Sequence, residues 1–351
     1  MPLPFTSLAD LYAHGYDDVL DVRSPAEFAE DRIPGALSLP VLSNAQRAEV
    51  GTIYTQVSPF KARKIGAALV ARNAAAHIEG PLASYDGAWR PLVYCWRGGQ
   101  RSGSFASILS QIGWRAETIQ GGYQSYRRLV VRLLHDQPLP HRVVLLDGNT
   151  GTAKTALLAR VRALGGQVID LEGLAQHRGS LFGSVAAPQP AQKGFESLLA
   201  AALTKLDPAR PVLIEAESSK IGDLLIPPSL WKAMQAAPRL QLEAPLQARA
   251  AYLVRAYADL VEDGAALSET LAKLVPFQGH AQVAAWQDLA QTRAFPQLAA
   301  ELMARHYDPR YSKGRRAHTG KTISLPDLSD ASLDAAAEQL AAHLADNSEV
   351  S

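Results

Sequence analysis

Short apolar runs broken by glycine, proline and polar turns alternate with longer stretches of helical spacing along most of the chain. Residues 18–22, Asp-Val-Leu-Asp-Val, read as a short strand. Arg23-Ser24-Pro25 then puts proline at a helix start, with Glu27 in the first turn. Ile33-Pro34-Gly35 marks a turn, and a long helical stretch is predicted from Asn44 to Ala76. Residues 91–94 are an apolar run that ends at Cys95, and the stretch from Ser102 to Ile112 has helical spacing. Gly121-Gly122 ends another strand ahead of a basic helix carrying Arg127, Arg128 and Arg132. Asp136-Gln137-Pro138-Leu139-Pro140 reads as a linker between a domain over 1–136 and one over 141–351.

Beyond the linker, Val143 to Leu146 reads as a buried strand. A glycine-containing loop follows, then a helix with Leu157, Leu158, Val161 and Leu164 on one face, closed by Gly165-Gly166. Residues 167–171, 211–216 and 239–243 are further strand candidates. This alternation predicts a mainly parallel α/β sheet, and after Leu246 the pattern is largely helical.

Composition adds limits. The 351 residues suit two domains; 47% are hydrophobic and 20% charged, as in an ordinary folded chain. A net charge of +1 neither argues for nor excludes nucleic acid. The single cysteine excludes an intramolecular disulfide or a multi-thiolate zinc site and fits a reducing cytoplasm. The N-terminus does not read as a signal peptide, and no run reaches the ~18 apolar residues of a membrane span.

Two loops carry candidate chemistry. In Val-Tyr-Cys-Trp-Arg-Gly-Gly-Gln-Arg-Ser-Gly-Ser, residues 93–104, Cys95 ends a strand and a diglycine loop leads into a helix. Loop amides, the helix N-terminus, Arg97 and Arg101 together favour a nucleophilic thiolate and would hold an anion beside the sulfur. The alternative is a buried cysteine packed as a small hydrophobe. The second loop, Asp-Gly-Asn-Thr-Gly-Thr-Ala-Lys-Thr over 147–155, lies between an apolar strand and an amphipathic helix, as in a P-loop. Gly148, Asn149, Thr150, Gly151 and Thr152 would turn their amides inward. Lys154 adds a point charge, and Thr155 a ligand for phosphate or Mg²⁺. Ala153 replaces the second glycine of the usual pattern, which weakens ATP hydrolysis more than phosphate binding; an ordinary glycine turn is the alternative.

The first loop resembles the rhodanese family. Asp21-Val-Arg-Ser-Pro-Ala-Glu-Phe with Ile33-Pro-Gly-Ala is similar to that family's N-terminal motif, and Gly121-Gly122-Tyr123 with Tyr126 to its closing one. Arg101 stands six residues after Cys95, a spacing shared with rhodanese-like phosphatases and arsenate reductases. The whole chain resembles the tRNA 2-selenouridine synthase family. Further stretches carry this: Asp170-Leu-Glu-Gly-Leu-Ala-Gln-His-Arg-Gly-Ser, Glu215-Ala-Glu-Ser-Ser-Lys-Ile-Gly and His306-Tyr-Asp-Pro-Arg-Tyr. The resemblance implies a rhodanese-like α/β domain followed by a P-loop NTPase-like α/β domain with a helical C-terminal region. It further implies a two-step reaction on the wobble 2-thiouridine of tRNA. Geranyl diphosphate would alkylate the sulfur, and selenium from selenophosphate would then displace the S-geranyl group, with Cys95 as carrier. No obligate cofactor is implied, and a selenophosphate-producing enzyme is a candidate partner.

Remaining candidates are weaker. Glu215 and Glu217, on one face because strand side chains alternate, are candidate acid or Mg²⁺ partners, as are Asp147 and Asp170. His177 and Arg178 suit either a helix terminus or contact with tRNA or diphosphate. Basic residues gather at Arg127, Arg128, Arg132 and Arg142, and again at Arg310, Lys313, Arg315, Arg316 and Lys321 with Tyr307 and Tyr311 interleaved; phosphate contact with base stacking competes with a solvated surface. Tyr252, Leu253 and Tyr257 could line a pocket for the ten-carbon chain and fit a helix core just as well; the core is the favoured reading. Two other functions stay open: a sulfurtransferase or Cys-x5-Arg phosphatase-like enzyme with a regulatory P-loop domain, and a P-loop kinase with a non-catalytic rhodanese module.

Overall fold

The computed structural model describes residues 2–183, 187–310 and 321–346. The chain forms two compact units. One contains the residues up to Gln137 together with Pro190–Lys205, the other Pro138–Gln189 together with the residues from Leu206 onward.

The first unit is built on four parallel strands, β1 (Asp18–Asp21), β2 (Leu37–Ser38), β3 (Pro91–Tyr94) and β4 (Glu117–Thr118), in the order β2-β1-β3-β4. β3 is central and buried along its whole length, which is why its sequence, Pro-Leu-Val-Tyr, does not alternate. Leu20, Val93, Phe105, Leu109 and Trp114 form the heart of its core. The stretch expected as one helix from Asn44 to Ala76 is two, Asn44–Gln56 and Pro59–Glu79. Proline lacks the N–H to continue the first helix, and the Ser58 side chain accepts from the Lys61 amide to start the second.

The helix Gln192–Thr204 also belongs to this unit, which departs from two contiguous domains. Its apolar face, with Phe195, Leu199 and Leu203, is fully buried. Arg127 pairs with Glu196 on this helix, and Lys193 pairs with Glu30 at 2.7 Å.

The second unit carries five parallel strands, β5 (Val143–Gly148), β6 (Gln167–Ile169), β7 (Val212–Glu215), β10 (Arg239–Glu243) and β11 (Thr322–Ser324), in the order β11-β10-β5-β7-β6. A small antiparallel pair, β8 (Lys220–Ile221) and β9 (Leu224–Leu225), stands apart from it. The loop after β5 therefore leaves the middle of the sheet at its carboxyl edge, where open α/β sheets place ligands. Leu157, Leu158 and Val161 of the helix Lys154–Ala163 are buried as expected, but Leu164 lies just past its end and is exposed. Leu246–Ala256 begins a helical region, and Leu267, Leu271, Trp286, Leu298 and Leu302 form a separate apolar cluster there. No helix among the described residues is long and apolar enough to cross a membrane.

Candidate functional site

Cys95 follows the buried end of β3 and exposes 3% of its surface. Among the described residues, the amides of Trp96, Arg97, Gly98 and Gly99 are given to no acceptor of the fold, so this turn can direct N–H groups at an anion. The Ser102 hydroxyl, fully buried in the first turn of the helix Gln100–Ile112, lies 3.2 Å from Cys95 Sγ and 3.3 Å from the Gly99 carbonyl oxygen. Its single proton can therefore be given to the sulfur.

The loop is held from below by the diglycine pair. The Tyr123 and Gln124 amides donate to the Cys95 and Trp96 carbonyls at 2.8 and 3.1 Å. A Cβ on Gly122 would overlap the Cys95 carbonyl oxygen, and one on Gly98 would stand 2.5 Å from that of Ile119. Beneath lies a buried charged network. Arg23 donates to Asp21 and to the Asp31 carbonyl and stacks on the Tyr123 ring at 4.1 Å. Tyr94 and Tyr123 donate to Asp21 and Asp31, both at 2.7 Å. The Asp-Val-Arg motif thus braces the loop and contributes no reacting group.

Arg101 and Arg97 differ in placement. Arg101 donates to Glu27 at 2.9 Å. Burial pushes the Glu27 carboxyl up, but hydrogen bonds from Arg101 and Ser24 hold it at about 2, so the pair stays charged. Arg97 is exposed and makes no ion pair among the described residues.

In the second unit, the Thr150, Gly151 and Ala153 amides are likewise given to no acceptor among the described residues. Gly148 and Gly151 allow the compact turn: a Cβ on Gly148 would sit 2.5 Å from Thr152 Oγ1, and Gly151 has φ +83°. Ala153 takes φ +60°, the left-handed region a glycine would enter without strain. Lys154 Nζ donates to the Gly148 carbonyl at 3.1 Å. Arg249 pins the loop tip, donating to the Thr150 carbonyl at 3.1 Å and to both oxygens of Asp308.

Beside Lys154 lies a carboxyl group that sequence reading missed. Burial, with Glu217 next to it, pushes Glu172 up to about 8, and the two carboxyl groups are hydrogen-bonded to each other. Glu217 is itself pushed up by burial, while Lys154 pulls it down. The Glu217 amide turns back onto the Glu215 carbonyl at 2.9 Å, so regular strand alternation ends between the two. Glu215 Oε1 accepts from the Glu172 amide at 2.8 Å, and burial holds its carboxyl well above the usual range. Asp170 caps Gly173, and Asp147 pairs with Arg239. Among the described residues no group of three or more His, Cys, Asp or Glu side chains is placed to hold a metal ion.

An apolar cavity of about 600 Å³, mouth included, opens beside the same loop. Thr150 belongs to its lining, with Phe182, Leu253, Tyr257, Phe295 and Met303. Leu253 and Tyr257, expected in a helix core, are thus cavity walls, whereas Tyr252 packs against the sheet core.

The rhodanese-like domain profile matches residues 5–129, and the profile described as tRNA 2-selenouridine synthase AAA domain matches residues 141–273. A protein of Shewanella halifaxensis named tRNA 2-selenouridine synthase is 35% identical over 70% of this chain and 67% of its own length. One of that name from Shewanella loihica is 34% identical over 75% of this chain and 70% of its own. The chain belongs to the tRNA 2-selenouridine synthase family. In this member of the family, the remaining candidate residues are placed as follows. His177 Nδ1 accepts from the Gly179 amide, and Arg178 donates to both oxygens of Asp259 at 3.1 Å while covering the Tyr257 ring. Arg127 is committed to Glu196 and Asp31, while Arg128 and Arg132 are exposed. Arg310 contacts His306 at 2.9 Å and lies over Phe277. Tyr311, Lys313, Arg315 and Arg316 lie outside the described residues.

Proposed function

We propose that this synthase converts 2-thiouridine in tRNA to 2-selenouridine in two steps, with the P-loop and the cysteine loop serving one step each. In the first, the thiocarbonyl sulfur attacks C1 of geranyl diphosphate. The S–C bond forms, the C–O bond breaks, and N3 of the base gives up its proton. The departing diphosphate carries the developing charge, and the Thr150, Gly151 and Ala153 amides with Lys154 are suited to receive it. In the second, selenium from selenophosphate, delivered at Cys95 at the selenide level, bonds to C2. The C2–S bond breaks and geranylthiol leaves; water then splits the Se–P bond, carrying the phosphoryl group off as phosphate, and N3 regains a proton. Alkylation matters because it turns a poorly departing thiocarbonyl sulfur into a thiol leaving group.

The observation that supports this reading best is the presence, in a chain of this family, of two separate turns with unengaged amides: one follows a buried thiol with Ser102 on its sulfur, the other carries Lys154. The test is mass analysis of nucleosides after incubating the protein with 2-thiouridine tRNA, geranyl diphosphate and selenophosphate. Cys95→Ser is expected to abolish selenation and leave geranylation largely intact, and Lys154→Ala to impair geranylation first. Absence of both modified uridines with the unaltered protein overturns the reading, as does full selenation by Cys95→Ser. Exposed Arg128 and Arg132 are candidate tRNA phosphate contacts in the same scheme.

A further inference from the structure

We propose that the helical hairpin of Asn44–Gln56 and Pro59–Glu79, with the groove between it and the helix Gln100–Ile112, is an RNA-docking surface. It holds the unpaired nucleotides that flank the modified base and so sets that base before Cys95. This rests on the reading above for selenium delivery at Cys95, but the class of partner follows from the hairpin itself. The helix Asn44–Gln56 buries none of its residues. It packs closely only on the second helix, where a Cβ on Gly66 would stand 3.5 Å from Val50 Cγ1. At the open end of the hairpin, Tyr54, Val57 and Phe60 are 53%, 63% and 71% exposed. Single exposed apolar side chains are ordinary, but three so close in sequence make a patch. Charge decides what covers it. Residues 50–78 contain Lys61, Arg63, Lys64 and Arg72 and no aspartate or glutamate, in a chain of net charge +1. Lys61, Arg63 and Lys64 follow Phe60 directly and are exposed. Aromatic faces for stacked bases, interleaved with cations for phosphates, suit unpaired RNA. An apolar protein face would bury the same cations without partners, which is costly.

The groove joins this patch to the reactive loop. It has a volume of about 740 Å³, mouth included, with Tyr54, Arg63 and Gly66 on the hairpin side and Gln100, Arg101 and Ser104 on the other. Gln100 and Arg101 open the helix that follows the cysteine turn, so one end of the groove lies at that turn. The root of the hairpin is tied to the same place. Glu27 pairs with Arg101 at 2.9 Å and with Arg47 of the hairpin at 3.0 Å. Patch and cysteine loop thus share one anchor, which fixes the distance between a docked strand and the sulfur.

The test uses the full chain and an RNA stem-loop with S-geranyl-2-thiouridine in its loop, which enters at the selenation step. Tyr54→Ala combined with Phe60→Ala is expected to weaken stem-loop binding at least ~10-fold. Lys61→Ala, Arg63→Ala and Lys64→Ala together should lower the slope of log Kd against log salt by about 2. Both variants should raise KM for the stem-loop in selenation and leave kcat at saturating RNA as it was. Alkylation of Cys95, the chain's one cysteine, by iodoacetamide at the unaltered rate shows that the loop is intact. Should the aromatic pair not fold, Phe60→Ser alone tests the same patch. Unaltered binding in the aromatic variant overturns the proposal, as does an unchanged salt slope in the basic one. An aromatic variant that changes only the sedimentation of the chain also overturns it and makes the patch a contact between copies. Weakened RNA binding in both variants, with no selenated uridine formed by the unaltered protein, would remove selenium delivery at Cys95 and leave the docking surface standing.

Discussion

Gly122→Ala puts a methyl group where the structure has none to spare. The built Cβ overlaps the Cys95 carbonyl oxygen and stands 2.5 Å from Gly98 N and 3.2 Å from Arg97 C, all backbone atoms of the cysteine loop. Because no flexible side chain can swing aside, the loop or the helix Gly122–Val131 must shift. Gly122 also has φ +56°, where a non-glycine residue costs about 1–2 kcal/mol. Losing the Tyr123 amide bond to the Cys95 carbonyl adds about 1 kcal/mol, and the forced displacement about 1–3 kcal/mol. The expected loss is about 3–6 kcal/mol of local stability, with selenium transfer falling in step. Gly113→Ala is the control: it has φ +114° but nothing within 4 Å of its built Cβ, so it carries strain alone. Hydrogen exchange of peptides covering Cys95 and Gly122, followed against urea concentration, measures both. Should Gly122→Ala cost no more than Gly113→Ala, the close approach is not what the diglycine motif supplies.

Ser102→Ala removes the only side-chain donor recorded on the sulfur among the described residues, and alkylation of the chain's one cysteine near neutral pH should slow about tenfold. An unchanged rate would mean that the hydroxyl proton goes to the Gly99 carbonyl. Glu172 sets a pH dependence. Its carboxyl is pushed up to about 8, so the folded chain holds this proton more tightly than the unfolded one. The resulting stability is complete below the ordinary carboxylate range and is lost as pH rises through about 8. Glu172→Gln should therefore flatten the fall of the thermal midpoint between about pH 5 and 8, and a profile parallel to that of the unaltered chain would contradict the assignment.

Both anion turns were legible because strand, glycine loop and helix follow one another closely in sequence, so chain order alone brings the groups together. Ser102 was less visible: it stands seven residues after Cys95, and only the first helical turn carries it back onto the sulfur. Glu172 belongs to the quoted stretch beginning at Asp170, yet its role depends on Glu217, which arrives from the end of another strand. Glu215 and Glu217 both reach Glu172, but through a turn that ends strand alternation between them, which periodicity alone does not show. Helical spacing after Leu246 foretold helices but not which half-apolar faces meet, so the cavity was hidden. β11, three residues at a sheet edge, is too short to leave a periodic trace.

The helix Gln192–Thr204 bears on how this protein can be dissected or recombined. Cutting the chain at its proline-rich linker would strip the amino-terminal half of a buried wall, including Phe195, Leu199 and Leu203, and take from Arg127 its partner Glu196. Such a fragment should aggregate or unfold unless that helix is supplied as a peptide or stitched back on. The two halves are accordingly not interchangeable cassettes, and an insertion, fusion or swap that respects only linear boundaries would break the half it meant to preserve.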